Sequence, residues 1–367
     1  MRDLIRANAG LLFAGIATFI AMGSGQSLYG PALPAYARAF SLAPGAEGVL
    51  VSGHWVGCFL GVGYMFLRGG SVTPRQTLAV MSVGALGLAL MPTWIATIAA
   101  AVLFGIGYGM ATAVFNPRVL ATFGTRGPSM LSLLNACFGV GAILAPLIFV
   151  ALGSDPRWSF GLTSTLCAAI WLFAGAAGAA KVRAEAATCP FRIHPAILVW
   201  GAMAIGCEAS LIGLGPTALI VAGYGENRAA TLLSAFFVVF LLARVVLIFL
   251  AHRLPPYAML VSALALSGLF ALGAAVGPAG AFFVAMGAPA GLFFPGFFVS
   301  ASAQMGDDLR VPPTIIAAGL VGGILAPVIL APLMAGMGPR GFFWMVGLVM
   351  LATAALAAVS ARWTARS

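Results

Sequence analysis

Long apolar runs, each ended by a turn residue or a charge, follow one another along the whole chain, and nothing else in it narrows the fold so far. They fall at 8–36, 46–67, 76–92, 94–120, 129–152, 158–180, 196–222, 228–250, 256–276, 279–303, 312–334 and 340–361. A helix that crosses the hydrocarbon core of a bilayer needs roughly 20 apolar residues. The expectation is therefore an all-α membrane protein with twelve transmembrane helices. The closest pairs of runs part at turn punctuation: Met91-Pro92-Thr93, Gly153-Ser154-Asp155-Pro156, Gly277-Pro278 and Gly336-Met337-Gly338-Pro339. Composition agrees, with 62% hydrophobic and 7% charged residues against about 25% charged in soluble domains. The connections are too short to hold a second, soluble domain.

The net charge of +10 would suggest nucleic acid as a partner in a soluble protein. Here the single Lys and most Arg residues sit at the ends of apolar runs, the pattern of the positive-inside rule, and their partner is the lipid bilayer. With the N-terminus cytoplasmic, the inside segments hold Arg2, Arg6, Arg68, Arg75, Arg126, Lys181, Arg183, Arg192, Arg253, Arg310, Arg362 and Arg366. The outside segments hold Arg38, Arg157, Arg228 and Arg340. The expectation is a multi-pass protein of the cell inner membrane with both termini cytoplasmic, acting as a monomer on a small-molecule substrate. Met1 to Arg6 leads into an apolar run too long for a signal-peptide core. Cys58, Cys137, Cys167, Cys189 and Cys207 are scattered without paired spacing, which argues against disulfides and zinc.

The two halves of the chain resemble each other. Val140-Gly141-Ala142-Ile143-Leu144-Ala145-Pro146 returns as Val321-Gly322-Gly323-Ile324-Leu325-Ala326-Pro327. Gly23-Ser24-Gly25-Gln26-Ser27-Leu28-Tyr29-Gly30 returns as Gly206-Cys207-Glu208-Ala209-Ser210-Leu211-Ile212-Gly213, and Gly105…Gly109 as Gly287…Gly291. Three matches in one order at an offset near 181 define an internal repeat. The longest polar interruption, 181–195, lies at the midpoint and reads as a cytoplasmic linker. The expected organisation is a six-helix bundle over 1–180, the linker, and a second six-helix bundle over 196–367.

Gly206-Cys207-Glu208-Ala209-Ser210, Leu134-Asn135 followed by Phe138-Gly139-Val140-Gly141, Asn116-Pro117 and Ala32-Leu33-Pro34 resemble the fucose–proton symporter branch of the major facilitator superfamily. The resemblance implies the major facilitator fold, with a substrate site near the membrane midplane between the halves. It also implies uptake of a sugar or similar small polar solute, driven by protons or sodium, with no other cofactor. Gly30 and Thr112 stand near the places where sugar–proton symporters carry acids in the first and fourth spans. The 68–75 segment has Arg68 and Arg75 but lacks the acid of the superfamily's Gly-Asp-Arg signature.

An ionisable side chain at membrane depth costs at least about 2.5–3.5 kcal/mol and needs a reason. Glu208 is the one acid inside a span, about 18 Å into the seventh run at 1.5 Å per residue. A carboxyl there can carry a proton, bind sodium or accept hydrogen bonds from substrate hydroxyls; a structural ion pair is the competing reading. Arg244 lies deep in the eighth span and can pair with Glu208 or with an anionic group on the substrate. Arg118, nearer the cytoplasmic end of the fourth span, serves the substrate or snorkels to the interface. His54 beside Trp55 is a proton relay or an interfacial packing pair. Gln26, Tyr29, Asn116 and Asn135 suit a polyol or carboxylate, and equally serve as polar glue between helices. Asp307, Asp308 and Arg310 form a solvated gate or have no role. The candidate substrate and ion-binding residues are Glu208, Arg244, Gln26, Asn135, Asn116, Arg118, His54 and Tyr29, and no metal site is expected.

Alternating-access transport of a small polar solute, a sugar or a small organic acid, coupled to an ion through Glu208, accounts best for these features. The competing readings are efflux of a small metabolite or drug, copper import on soft Met, Cys and His ligands, and a transport-inactive scaffold or assembly factor. Nothing supports an enzyme, because no nucleophile motif, metal cluster or phosphate loop is present.

Overall fold

A computed structural model describes residues 8–68, 72–177, 192–250, 253–306, 308 and 310–364. They form α1 (Ala9–Ala39), α2 (Gly48–Arg68), α3 (Pro74–Leu90), α4 (Trp94–Phe123), α5 (Gly127–Ala151), α6 (Pro156–Phe173), α7 (Pro195–Val221), α8 (Glu226–Leu250), α9 (Pro256–Val276), α10 (Ala279–Ala290), α11 (Phe293–Met305), α12 (Val311–Gly336) and α13 (Gly341–Thr364). No strand occurs among the described residues. Among the described residues ten helices are long and apolar enough to cross a membrane, α10 and α11 counting together as one span. Hydrocarbon offers no hydrogen-bond partner, so closed backbone ladders of this kind are what such sequences must adopt.

The two remaining expected spans are shorter helices. α3 has 17 residues; Met91 takes the left-handed conformation at φ 50°, its N–H bonding the Gly87 carbonyl, and Pro92 follows. α6 has 18 residues and passes into a 3-10 turn over Ala174–Ala177, while 178–180 lie outside the described residues. Their starts are written in the sequence. Thr73 and Gln76 close a capping box at α3, where Pro74 opens the helix with no N–H to strand. Asp155 caps α6 through the Arg157 N–H at 2.8 Å.

The tenth span corrects an expectation. The apolar run 279–303 predicts one continuous helix, but the chain turns at Gly291 and Leu292 between α10 and α11. Pro295 stands four residues beyond Gly291 and has no N–H, so the Gly291 carbonyl loses its helical donor. Leu292 N–H bonds back only three residues, to Pro289, as a tightened turn does.

The chain divides into two compact units, Met1–Ser41 with Val49–Ala184, and Leu42–Gly48 with Glu185–Ser367. Most of the expected linker, 181–191, lies outside the described residues, and α7 begins at Pro195. Within each unit the same helices pair: α1 with α5 and α7 with α12, α3 with α4 and α9 with α10, α3 with α6 and α9 with α13. The pairs close on glycine. A Cβ on Gly105 would overlap the His54 carbonyl, and one on Gly287 would overlap the Phe236 carbonyl. A Cβ on Gly109 would meet the Cys58 carbonyl, and one on Gly291 the Phe240 carbonyl. The four contact positions of the first unit, 54, 58, 105 and 109, each have their counterpart 182 positions later. Gly141 on the Ile20 carbonyl recurs as Gly322 on the Ala202 carbonyl. Small residues let backbones approach this closely where lipid supplies no hydrophobic drive between helices. The outer faces are apolar, with Ile95 80%, Leu67 79% and Val276 70% exposed, as a surface bathed in acyl chains requires.

Gly322→Ala and Gly105→Ala should each lower stability by about 1–3 kcal/mol, the usual cost of overpacking. Gly161→Ala, with open space around its Cβ, should not. Thermal unfolding in detergent checks this, and equal melting temperatures for all three variants would remove the close-approach argument.

Candidate functional site

In the first unit the polar residues of the spans gather around His54. It is 1% exposed on α2, within 5.0 Å of the Tyr29 ring, 5.2 Å of Tyr108, 5.3 Å of Trp55 and 5.7 Å of Phe104, centroid to centroid. Its Nε2 lies 3.6 Å from the Cys58 Sγ, one helical turn on. The His54 Nδ1 and the Tyr29 hydroxyl are buried without a hydrogen-bond partner among the described residues. Gln26, 7% exposed, accepts a hydrogen bond at its Oε1 from the Tyr108 hydroxyl at 2.8 Å. Tyr108 thus joins Gln26 on α1 to His54 on α2, a connection 82 residues apart in sequence.

Three other candidates stand apart from this cluster. Arg118 is buried and donates to the Val72 carbonyl at 3.0 Å, bracing the segment that leads into α3. Asn135 is exposed and spends its amide on the Leu131 carbonyl of its own helix at 2.9 Å. Asn116 is half-buried about two turns beyond Tyr108 on α4, with an unpartnered Oδ1.

In the second unit Glu208 lies at the middle of α7, and its Oε2 is buried with no hydrogen-bond partner among the described residues. Arg244 stands on α8, which packs against α7. Arg244 donates from Nε to the Gly291 carbonyl at 3.1 Å, and its guanidinium carbon sits 4.4 Å from the centre of the Phe240 ring. The glycine contacts revise the register of the repeat by one residue. Ile20 and Ala202 are equivalent, as are Gly105 and Gly287, so the counterpart of Glu208 is Gln26 itself. The counterpart of Tyr108 is Ala290, which has no hydroxyl to offer. One position of the repeat therefore holds an amide with a partner in the first unit and, in the second, a carboxyl with one buried oxygen unpartnered among the described residues.

Sequence reasoning passed over Tyr108, Cys58 and Gly291. The His-x-x-x-Cys spacing in α2 was a readable signal for Cys58, and the proline four residues on was one for Gly291; Tyr108 had none beyond being a phenol inside a span. In the loop before α12, Asp308 is buried and takes both side-chain and backbone hydrogen bonds from Arg310 at 2.8–2.9 Å. These bonds hold its carboxyl down at about 2. Asp307 lies outside the described residues.

Tyr108→Phe strands the buried Gln26 oxygen and should cost about 1–3 kcal/mol, with the further loss from adding Gln26→Leu smaller than Gln26→Leu causes alone. Additive shifts in melting temperature would dissolve the pair. The carboxyl of Asp308 is held below its ordinary range, so its contribution is complete above that range and fades as pH falls toward 2. Asp308→Asn should accordingly melt earlier than wild type at neutral pH and converge with it near pH 2; a gap that persists in acid contradicts the assignment.

Membrane-crossing helices with polar groups buried inside each unit define a polytopic membrane protein. The model of the Major Facilitator Superfamily matches residues 12–311. The chain belongs to that superfamily; it is a transporter of small molecules and not an enzyme. Among solved structures it is similar to the nucleoside transporter NupG, at 15% identity and a TM-score of 0.71, covering 96% of this chain and 98% of that one. It is similar also to a D-xylose–proton symporter, at 14% identity and a TM-score of 0.73, covering 95% and 96%. A bacterial homologue of the human lysosomal transporter Spinster, inward-facing and occupied, gives 13% identity and 0.70, covering 96% of each chain. At these identities the likeness is one of fold. No curated protein matches the chain in sequence.

Proposed function

We propose that the protein is a secondary active transporter that moves a small polar solute, a sugar or a small organic acid, across the cell inner membrane by alternating access, coupled to protons through Glu208. The observation that carries this reading is the buried, unpartnered Oε2 of Glu208 at the middle of α7. A carboxyl kept at membrane depth without a fixed hydrogen bond is expensive and is most readily accounted for by a group that comes and goes. A proton suits it better than sodium, because a metal cation draws a shell of several oxygens, and no group of three His, Cys, Asp or Glu side chains that could hold a metal ion occurs among the described residues. The short motifs shared with fucose–proton symporters and the fold shared with a D-xylose–proton symporter are in keeping with symport. In this reading Gln26, Tyr29 and His54 in the first unit contact the solute, with both termini in the cytoplasm.

Reconstituted protein with an imposed inward proton gradient tests the coupling, with labelled D-xylose, a nucleoside and a monocarboxylate as probes. Wild type should accumulate one of them at least about tenfold, the ratio that one pH unit sustains for a one-proton symporter. Glu208→Gln should lose the accumulation and keep solute exchange across the membrane. Equal gradient-driven accumulation by both proteins would end the assignment.

A further inference from the structure

The contact of α2 with α4 in the first unit repeats as that of α8 with α10 in the second, with different side chains at two positions. The carbonyl of residue 54 faces Gly105 as that of residue 236 faces Gly287, and the carbonyl of residue 58 faces Gly109 as that of residue 240 faces Gly291. The second unit fills these positions with Phe236 and Phe240, whose ring centroids lie 6.1 Å apart. The first unit fills them with His54 and Cys58, each 1% exposed, the His54 Nε2 lying 3.6 Å from the Cys58 Sγ. Two apolar rings therefore satisfy the packing of this arrangement. An imidazole and a thiol side by side on one helix face, with Cys58 at the middle of α2, need another reason. The His54 Nδ1 is moreover buried without a partner among the described residues.

We propose that His54 and Cys58 form a binding site for a soft monovalent cation, Cu(I). With metal–nitrogen and metal–sulfur bonds of roughly 2.0 and 2.3 Å, donors 3.6 Å apart subtend roughly 110° at one ion, so both reach it without a shift of the helix. A thiolate with an imidazole is a soft donor set that selects Cu(I). One thiolate and Cu(I) make a neutral centre, whereas zinc would leave a net positive charge at membrane depth. Zinc also takes four ligands, and no group of three His, Cys, Asp or Glu side chains that could hold a metal occurs among the described residues. On binding, the Cys58 S–H bond breaks, an S–Cu bond forms and one proton leaves; copper enters and stays as Cu(I), so no electron moves. His54 ligates through Nε2 and carries its own proton on Nδ1. A ligating histidine gives that N–H to an oxygen. The Tyr29 hydroxyl, itself buried and unpartnered among the described residues, belongs to the nearest of the four rings around His54, at 5.0 Å. The rings of Trp55, Phe104 and Tyr108 complete an aromatic surround that limits access of water to the ion. The site is separate from the proton coupling proposed for Glu208.

Titration of the purified full-length protein with Cu(I), without oxygen and against a coloured Cu(I) chelator, tests the assignment. Wild type should take up one Cu(I) and release one proton, with sulfur and nitrogen neighbours in the copper X-ray absorption spectrum. Losing a supporting partner alone costs roughly 10–100-fold in metal affinity, the loss expected for Tyr29→Phe. Cys58→Ser and His54→Gln each remove a ligand and should lose at least about a hundredfold. Cys58→Met keeps a soft donor with no proton to give up, so it should bind Cu(I) without releasing one. Replacing Cys137, Cys167, Cys189 and Cys207 together with Ala should leave the binding in place, and so should Glu208→Gln, whatever that variant does to uptake. A thiol–imidazole hydrogen bond and nothing more predicts no uptake of one equivalent by wild type, and that result overturns the proposal. Uptake that persists unchanged in Cys58→Ser and His54→Gln overturns it too, as does displacement of the copper by equimolar Zn(II).

Discussion

A backbone carbonyl that loses its helical partner inside a bilayer has no water to turn to, and much of this molecule is arranged around that fact. Helices absorb nearly all of the demand, and the places where they end are met by side chains. Arg75 donates to the Leu172 carbonyl at the end of α6, Arg340 to Ala275 at the end of α9, and Tyr36 to Leu88 at the end of α3. A cation there also meets the negative pole of the helix. Tyr257 donates to Ala357 near the end of α13, and it occupies on α9 the position that Arg75 occupies on α3 in the repeat. Arg118 on Val72 and Arg244 on Gly291 extend the pattern to an irregular segment and to a broken span.

The spans were legible because hydrocarbon allows so few alternatives. Runs of 20 or more apolar residues became α1, α4, α7 and α12 with ends shifted by a few positions. Where the reading slipped, geometry rather than composition decided. Nothing apolar or polar in 279–303 marks the turn at Gly291, and its signal is a missing N–H four residues later. The repeat was visible in Gly and Pro, yet its register was one residue off in the first and seventh spans. Letters alone align Gly23 with Gly206, whereas carbonyl contacts align Ile20 with Ala202. The candidate site was legible as residue types and not as pairs. Gln26 and Tyr108 come from helices 82 residues apart, and Asn135 turns its amide to Leu131 by a choice of rotamer that no sequence records.

The corrected register gives the two units complementary characters. Gln26 is neutral, buried and held by Tyr108; Glu208 is ionisable, with one buried oxygen unheld among the described residues. A side chain with a fixed partner defines a shape, while one without can change its charge.

The contact pairs keep one spacing, 182 residues, as far as Gly109 and Gly291, and a spacing of 181 by Gly141 and Gly322. One net residue therefore separates the copies between those points. Deleting a residue within a helix turns everything beyond it by about 100°, swinging glycines off their carbonyls and polar groups into lipid. A connection absorbs the same loss by changing its path. The repeat is thus kept where two backbones touch and shifts by a residue elsewhere, so contacts carry it more faithfully than residue identities do.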